Sequence, residues 1–330
     1  MNLPVFQDIA EAFERIQGVI HQTPVLTSET YNRRFQSSLF FKCENFQKSG
    51  SFKFRGASNT LLQLSEEEVR RGVATHSSGN HGQAVAKAAR VRGCRAVIVM
   101  PENAPDVKVR AVKEYGGEVV FCEPTLESRE QTLRALIERE ELVVVHPFAD
   151  PRVIAGQGTA AVELMREVPD LDLILTPVGG GGLISGCAIA AAHCRELGCD
   201  RTVPHPIDVI GCEPEMADDA CRSFQSGLYT VEGNRPTIAD GLRATIGEIN
   251  FEIIRTYVSD MVPVSESSIV EEMKFFWERM NLIIEPSCAV PLAALQLLGD
   301  VIRGKRVGVI VTGGNLDLDE LPWMQERGSV

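Results

Sequence analysis

Short apolar strands alternate with helical stretches along this chain, and this alternation limits its fold more than any other feature. Runs with the two-residue period of a strand are separated by runs with the 3.6-residue period of a helix. Because parallel strands need a long crossover between them, this order is typical of parallel sheets with crossover helices. In the first half, strands are predicted at residues 73–76, 96–100, 118–122 and 142–146, and helices at 82–92, 106–115 and 128–139.

A second series of the same kind fills the other half of the chain. With 330 residues, the chain is long enough for two structural units that each bury a core. We therefore expect an α/β fold of two open parallel-sheet units, with the active site in the cleft between them. In this half, strands are predicted at residues 173–176, 208–212, 261–264 and 306–312, and the clearest helices at 267–280 and 290–299.

The charge balance argues against several classes of partner. The chain carries 45 acidic and 33 basic side chains, a net charge of −12, which disfavours a nucleic-acid or membrane-surface partner. No apolar run has the length of a membrane span, and the N-terminus lacks the pattern of a signal peptide. Nine scattered cysteines without a C-x-x-C pair are typical of a reduced, cytoplasmic protein.

A lysine between two phenylalanines is the first candidate for chemistry. Lys53 lies in the stretch Ser-Phe-Lys-Phe-Arg-Gly-Ala, after a strand-like run at 40–46 and before a helical run at 58–64. Because partial burial disfavours the ammonium form, such a lysine can become an amine nucleophile that forms a Schiff base. From this segment alone, a surface lysine whose stem passes two core aromatics is the simpler interpretation.

Four consecutive glycines, Gly179–Gly182, join a predicted strand to a predicted helix. Such a turn lets backbone N–H groups converge on an anion at the helix N-terminus, where the helix dipole favours negative charge. The turn indicates a phosphate site, although no Gly-Lys-Ser/Thr sequence makes it a P-loop. Dinucleotide binding ranks second, because Gly180, Gly182 and Gly186 approximate a G-x-G-x-x-G motif and Glu213 ends the next strand.

Polar residues crowd the turn before the Ala-rich helix at residues 84–89. One helix N-cap needs one Ser or Asn, but this turn carries Ser77, Ser78, Asn80 and His81. The excess of donors at a helix N-terminus favours a site for a substrate carboxylate.

Each of two further groups of residues at predicted strand ends allows two interpretations. Thr312 is either an ordinary strand residue or a hydroxyl that faces a ligand at the carboxyl end of its strand. Glu213 and Asp219 either complement a helix dipole or supply oxygen ligands to Mg²⁺ or Ca²⁺.

The ordered set of these motifs resembles the fold-type II (tryptophan synthase β-like) pyridoxal-phosphate enzymes. The lysine segment, the Ser-Ser-Gly-Asn-His-Gly turn, the tetraglycine and a final Thr-Gly-Gly-Asn are similar to those of the serine racemase and serine/threonine dehydratase family. The likeness extends over residues 22–317 and implies dehydration and deamination of serine, threonine or 3-hydroxyaspartate, with racemisation. Alternatives are a protein that is primarily a serine or aspartate racemase and a non-catalytic metabolite sensor.

The resemblance also implies roles for individual residues. Lys53 is expected to bind pyridoxal 5′-phosphate as a Schiff base, and Ser78 to be the acid/base on the opposite face of the substrate. Other cofactor contacts would come from Phe52, Asn80 at the 3-oxygen, Gly179, Gly180, Gly181, Gly182 and Leu183 at the phosphate, Gly241, and Thr312 at the pyridine nitrogen. Ser77, Ser78, Asn80 and His81 would bind the substrate carboxylate, and Glu213, the Ala217 carbonyl and Asp219 would bind Mg²⁺, Mn²⁺ or Ca²⁺.

The resemblance further implies how the chain is divided. Residues 1–71 and 150–330 would form a large cofactor-binding domain, residues 72–149 a small mobile domain, and two chains a homodimer. The chain departs from animal serine racemases at Phe148, where those enzymes carry Asn in a His-Pro-Asn sequence. That dehydratase-like feature leaves the ratio of elimination to racemisation open.

Overall fold

Two β-sheets organise the fold, one of six strands and one of four. The structure is a computed structural model that describes residues 3–77, 79–200, 202, 204–231 and 236–325. The strands are β1 (Val25–Leu26), β2 (Ser38–Cys43), β3 (Val73–His76), β4 (Ala96–Pro101), β5 (Glu118–Cys122), β6 (Val143–Val144), β7 (Leu173–Pro177), β8 (Asp208–Pro214), β9 (Asp260–Val264) and β10 (Arg306–Val311).

Helices connect these strands and cover the sheets. They are α1 (Phe6–Ile16), α2 (Glu29–Phe35), α3 (Lys53–Leu62), α4 (Glu66–Arg71), α5 (Asn80–Arg92), α6 (Asp106–Glu114), α7 (Leu126–Glu140), α8 (Pro151–Glu167), α9 (Gly182–Ala192), α10 (Asp219–Ser226), α11 (Glu248–Tyr257), α12 (Glu266–Met280), α13 (Pro286–Ile302) and α14 (Pro322–Gln325). Short 3₁₀ turns cover Glu44–Phe46, Glu215–Ala217 and Asp240–Leu242.

The strand order brings distant parts of the chain to one edge of the larger sheet. That order is β1-β2-β10-β7-β8-β9, and the smaller sheet has the order β5-β4-β3-β6. All pairings among the described strands are parallel except that of β1 with β2, which confirms the predicted α/β fold with parallel sheets. Because parallel strands end at the same edge, the segments that follow β2, β7 and β10 meet there.

The larger sheet is buried on both faces, as parallel sheets usually are. All five residues of β7 are buried, and their side chains alternate between two hydrophobic clusters. Ile174 packs into a cluster with residues of α8 and α9, whereas Leu173 and Leu175 pack into a cluster with residues of α12 and α13. This rigid central layer fixes the positions of the turns at its carboxyl edge.

Helix α8 is absent from the sequence-based prediction, because glycines lower the helical signal of its segment. Gly156 and Gly158 have a packing role in it. A Cβ at Gly156 would lie 2.6 Å from Gly56 Cα on α3, and one at Gly158 would lie 2.7 Å from Gly186 O on α9. The glycines therefore let α8 pack directly against the two helices that begin at the lysine segment and at the tetraglycine.

The remaining fold-level expectations concern cysteines and membrane spans. All nine cysteines are buried, and none of them is part of a disulfide. Within the described ranges, no helix has both the length and the apolar character required to cross a bilayer.

Candidate active site

Lys53 is the first residue of α3 and lies at the carboxyl edge of the larger sheet. Ser51 forms an antiparallel bridge with Gly313, and the Phe52 N–H donates to the Thr312 carbonyl at 2.9 Å. The lysine turn is thereby attached to the segment that follows β10. Lys53 Nζ donates to the Pro147 carbonyl at 3.0 Å and lies 5.2 Å from the centre of the Phe52 ring.

The environment of Lys53 favours the neutral amine. Burial lowers the pKa of Lys53 to about 8, and the negative charge of Glu285 opposes that shift. A lysine with such a pKa has a far larger neutral fraction at physiological pH than an exposed lysine has. The structure thus supports an amine nucleophile at this position over a surface lysine.

A buried ion-pair network anchors the turn that carries Lys53. Arg55 is completely buried and pairs with Glu44 and Glu163, each at 2.7 Å. Lys42 on β2 donates to the same Glu163 carboxylate at 2.6 Å. Two cations face two carboxylates here, so no charge is left uncompensated. Sequence reasoning missed this network, although an arginine two residues after the candidate nucleophile was visible.

The tetraglycine turn has no room for side chains. Gly181 has a positive φ of 88°, and a Cβ there would lie 2.7 Å from Asn250 Cβ. At Gly180, a Cβ would lie 2.3 Å from the ring of Phe148, and at Gly179 it would lie 2.9 Å from Leu242 Cα. Only glycine therefore fits at these three positions of the turn that leads into α9.

Side chains around the tetraglycine hold its backbone in place. Asn250 Nδ2 donates to the Gly180 carbonyl at 2.6 Å, and Ser185 Oγ donates to Asn250 Oδ1 at 3.2 Å. Asn250 thus holds the Gly180 carbonyl, and the first N–H groups of α9 have no acceptor within the helix, as at any helix N-terminus. Leu183 lies in that turn and is buried, and Asn250 was not identified from the sequence.

The polar turn after β3 leads into α5, which begins at Asn80. Asn80 Nδ2 donates to Glu285 Oε1 at 2.7 Å, and its Oδ1 accepts from Asn315 Nδ2 at 2.9 Å. Ser77 Oγ accepts from the Gly79 N–H at 3.2 Å. Ser78, the predicted second acid/base, lies outside the described residues.

His81 is buried, and its contacts fix its tautomer. Its Nε2 lies 3.0 Å from the Val145 carbonyl, which can only accept, so Nε2 carries the proton. Burial, followed by the charge of Lys53, holds the pKa of His81 well below its usual value, so the ring is neutral. The side chain of His81 therefore offers no charge to a carboxylate, while its backbone N–H belongs to the first turn of α5.

Thr312 and Gly241 reach the same edge of the sheet from different segments. Thr312 directly follows β10, is buried, and has its hydroxyl 3.1 Å from Cys288 Sγ. The Gly241 N–H donates to Ser287 Oγ at 3.1 Å, and the 3₁₀ turn that contains it packs on Gly179. These contacts place Thr312 beside the lysine segment and Gly241 beside the tetraglycine turn.

The predicted metal ligands form a second, separate group. Glu213 at the end of β8 is fully buried and accepts from the Cys221 N–H at 2.7 Å, and Asp219 accepts from the Ile246 N–H at 2.8 Å. Burial raises the pKa of both carboxyls, and the charge of Asp219 adds to the rise at Glu213. The described residues contain no cluster of three or more His, Cys, Asp and Glu side chains suited to a metal. Carboxylate oxygens such as those of Glu213 and Asp219 are of the kind that Mg²⁺ and Ca²⁺ bind.

Comparison with known proteins identifies the family. A sequence profile described as "Pyridoxal-phosphate dependent enzyme" matches residues 16–313. The chain belongs to this family. The segment around Lys53 and the tetraglycine turn are therefore parts of a pyridoxal-phosphate-dependent enzyme. The family assignment favours pyridoxal-phosphate binding over dinucleotide binding.

Individual members of this pyridoxal-phosphate family are similar over their whole length. Serine racemase of Dictyostelium discoideum is 48% identical over 325 residues, which cover 97% of this chain and 98% of the racemase. Beta-hydroxyaspartate dehydratase of Paracoccus denitrificans is 44% identical over 323 residues, which cover 98% of this chain and all of the dehydratase. A crystal structure of serine racemase from D. discoideum matches with a TM-score of 0.88 at 48% identity, covering 96% of this chain and 99% of that one.

Proposed function

We propose that this enzyme is an ammonia-lyase for small β-hydroxy-α-amino acids. The substrate would be serine, threonine or 3-hydroxyaspartate, and the products a 2-oxo acid and ammonia, with racemisation as a related activity. The observation that carries the proposal is the amine of Lys53: its pKa is lowered to about 8, and it donates to the carbonyl of Pro147, whose neighbour Phe148 packs against Gly180 of the tetraglycine turn. The similarity to both a dehydratase and a racemase supports the choice of substrate class.

The residues of the cleft fit pyridoxal phosphate. Lys53 would bind its aldehyde carbon, Gly179–Gly182 with Leu183 its phosphate, and Asn80 its 3-oxygen. Phe52 would pack against the ring, Gly241 would line the pocket, and Thr312 would face the pyridine nitrogen. When bound, the cofactor supplies the electron sink that stabilises negative charge at the substrate Cα.

The substrate would lie at the N-terminus of α5. There, Ser77, Ser78, Asn80 and the backbone of His81 offer donors to its carboxylate, and the helix dipole adds to the attraction. The free amine of Lys53 would take the proton from the substrate Cα. Ser78 would act on the opposite face, so the same first step leads to loss of the β-hydroxyl or, by reprotonation from the Ser78 side, to the other enantiomer.

We further propose a divalent-cation site at Glu213, the Ala217 carbonyl and Asp219. Two buried carboxylates near each other repel, and a cation between them relieves both the repulsion and the cost of burial. Magnesium, manganese and calcium all suit such oxygen ligands.

The family assignment also suggests how the enzyme is divided into domains and assembled. We infer a large cofactor-binding domain from residues 1–71 and 150–330, a small mobile domain from residues 72–149, a homodimer, and a cytoplasmic location. The two sheets support this division, because the strands of the smaller sheet all lie between Val73 and Val144.

A substrate assay tests the proposed function. Release of 2-oxo acid from L-serine, L-threonine and both diastereomers of 3-hydroxyaspartate is measured, together with D-serine formed from L-serine. We expect 2-oxo acid from at least one hydroxy amino acid at a rate above that of racemisation. Faster racemisation would favour the second candidate, a racemase, which the 48% identity to serine racemase supports. If the cofactor-loaded protein turns over none of these substrates, the result would favour the remaining alternative, a non-catalytic metabolite sensor.

A further inference from the structure

Glu285 is a buried carboxylate at the start of α13 that no sequence motif pointed to. Only 2% of its surface is exposed, and Pro286 follows it as the first residue of the helix. The Glu285 N–H donates to the Gly313 carbonyl at 3.1 Å, which ties it to the segment after β10. Its position next to the segment after β10 is thus fixed by the backbone.

The carboxylate of Glu285 and the amide of Asn315 determine how Asn80 is oriented. A side-chain amide has one oxygen that accepts and one nitrogen with two N–H donors. Asn315 Nδ2 donates to the Asn80 oxygen at 2.9 Å, while Asn80 Nδ2 gives one N–H to Glu285 Oε1 at 2.7 Å. The second N–H of Asn80 is left to donate to a ligand. The opposite amide orientation is disfavoured, because it would place Asn80 Nδ2 against the donor Asn315 Nδ2 and Asn80 Oδ1 against the acceptor Glu285 Oε1.

Charged groups from several elements face Glu285. Burial and the charge of Asp240 raise the pKa of Glu285 to about 7, and Lys108 on α6 opposes the rise. Lys108 is itself buried and pairs with Asp240. Glu285 in turn raises the pKa of the Lys53 amine against the effect of burial, and it raises the pKa of the Cys288 thiol. A Cβ on Gly313 would lie 2.8 Å from Glu285 Oε1 and 2.9 Å from Ser51 Cβ, so the carboxylate of Glu285 lies beside the turn that carries Lys53.

We propose that Glu285 is a positioning residue with two effects: its carboxylate directs the free N–H of Asn80 toward the 3-oxygen of the cofactor, and it places a negative charge beside the turn that carries the Lys53 amine. The proposal rests on the proposed function, because it assumes that the cofactor binds at Lys53. It assigns no contact between Glu285 and the substrate.

Two substitutions separate the geometric effect from the charge effect. Glu285→Gln keeps an oxygen that accepts from Asn80 but removes the charge, whereas Glu285→Ala removes both. The dissociation constant of pyridoxal phosphate is measured by the visible absorbance of the bound form. We expect it to rise about tenfold in Glu285→Ala and to stay within about threefold of wild type in Glu285→Gln.

The charge effect is measured on the protein from which the cofactor has been removed. Modification of Lys53 by an amine reagent is followed by peptide mass spectrometry between about pH 6 and pH 10. Glu285→Gln should lower the apparent pKa of Lys53 by about half a unit or more, which raises the neutral fraction at pH 7 about threefold. Glu272→Gln is the matched control, because Glu272 is also buried but pairs with Arg34 away from the cleft, and it should leave Lys53 unchanged.

A double-mutant cycle tests whether Glu285 acts through Asn80. If it does, Asn80→Ala combined with Glu285→Ala binds the cofactor no more weakly than Asn80→Ala alone. Additive losses, equal affinities of the Gln and Ala variants, or an unchanged pKa of Lys53 in Glu285→Gln would each overturn the proposal. If Glu285→Ala does not fold, the Lys53 titration of Glu285→Gln still decides. Failure of wild type itself to bind the cofactor at Lys53 would instead refute the proposed function.

Discussion

Lys53 combines a buried position with a nearby carboxylate, and the two act on its pKa in opposite directions. Burial has the larger effect and lowers the pKa to about 8, while Glu285 limits the fall. The balance yields an amine that is partly neutral near physiological pH yet retains the basicity to take a proton. The flanking Phe52 contributes through its ring, 5.2 Å from the amine.

The first prediction is a pH dependence of cofactor binding by the cofactor-free protein. Only the neutral amine attacks an aldehyde, and neutral Lys53 accumulates as the pH rises through about 8. The rate at which the visible band appears after addition of pyridoxal phosphate should therefore rise with pH, reach half of its maximum near pH 8, and level off about one to two pH units higher. Stopped-flow absorbance measures this rate. A midpoint near 10.4, the ordinary value for lysine, would contradict the burial of this amine.

At the scale of elements, the site depends on α3, α8 and α9 being held closely together. The buried network of Arg55 links the start of α3 to Glu163 on α8, and glycines at the helix contacts allow direct backbone approach. Strands β3 and β5 have the bounds that the sequence predicts, because local apolar patterns specify them. Helix α8 was missed because its glycines are explained only by the neighbouring helices, which no local pattern reveals.

The second prediction concerns Arg55. Arg55→Met would leave Glu44 and Glu163 buried with one fewer cation, and we expect it to lower the free energy of unfolding by about 3–5 kcal/mol. Chemical denaturation measures the change. Arg95→Met is the control, because Arg95 forms its ion pairs at the surface, and it should cost about 1 kcal/mol or less. Similar losses in the two variants would contradict the anchoring role of the buried network.

The third prediction concerns the tetraglycine turn. Gly181→Ala would place a Cβ at a positive φ of 88° and 2.7 Å from Asn250 Cβ. Gly227 also has a positive φ, 71°, but open space around it, so Gly227→Ala isolates the backbone strain at about 1 kcal/mol. We expect Gly181→Ala to cost about 2 kcal/mol more from crowding and to weaken cofactor binding at least about tenfold. Thermal unfolding measures the loss of stability, and cofactor titration measures the change in affinity. Normal cofactor affinity in Gly181→Ala would contradict phosphate binding by the tetraglycine turn.

At the scale of the whole molecule, the site is assembled from segments far apart in the chain. β10 lies between β2 and β7, an order that hydrophobic periodicity does not encode. Lys53 and the tetraglycine were identified because each has a local motif. Glu285 had none, since its partner Asn80 lies 205 residues away in the sequence and the meaning of the contact exists only in the fold.

The fourth prediction is a response of global stability to metal removal. If a cation binds at Glu213 and Asp219, it binds the folded state alone and stabilises it by mass action. EDTA should then lower the midpoint of thermal unfolding by about 3 °C or more, and excess Mg²⁺ should restore it. The double variant Glu213→Gln with Asp219→Asn should show no such response. An unchanged midpoint in wild type after confirmed metal removal would return both carboxylates to a purely structural role.

The most direct test of this account is reductive trapping of the cofactor. Purified protein incubated with pyridoxal phosphate should show a visible absorbance band. Borohydride treatment followed by peptide mapping should then place the reduced label on Lys53 alone, and Lys53→Ala should show neither band nor label. A colourless protein, or a label on any other lysine, would contradict the assignment of Lys53 as the cofactor-binding amine.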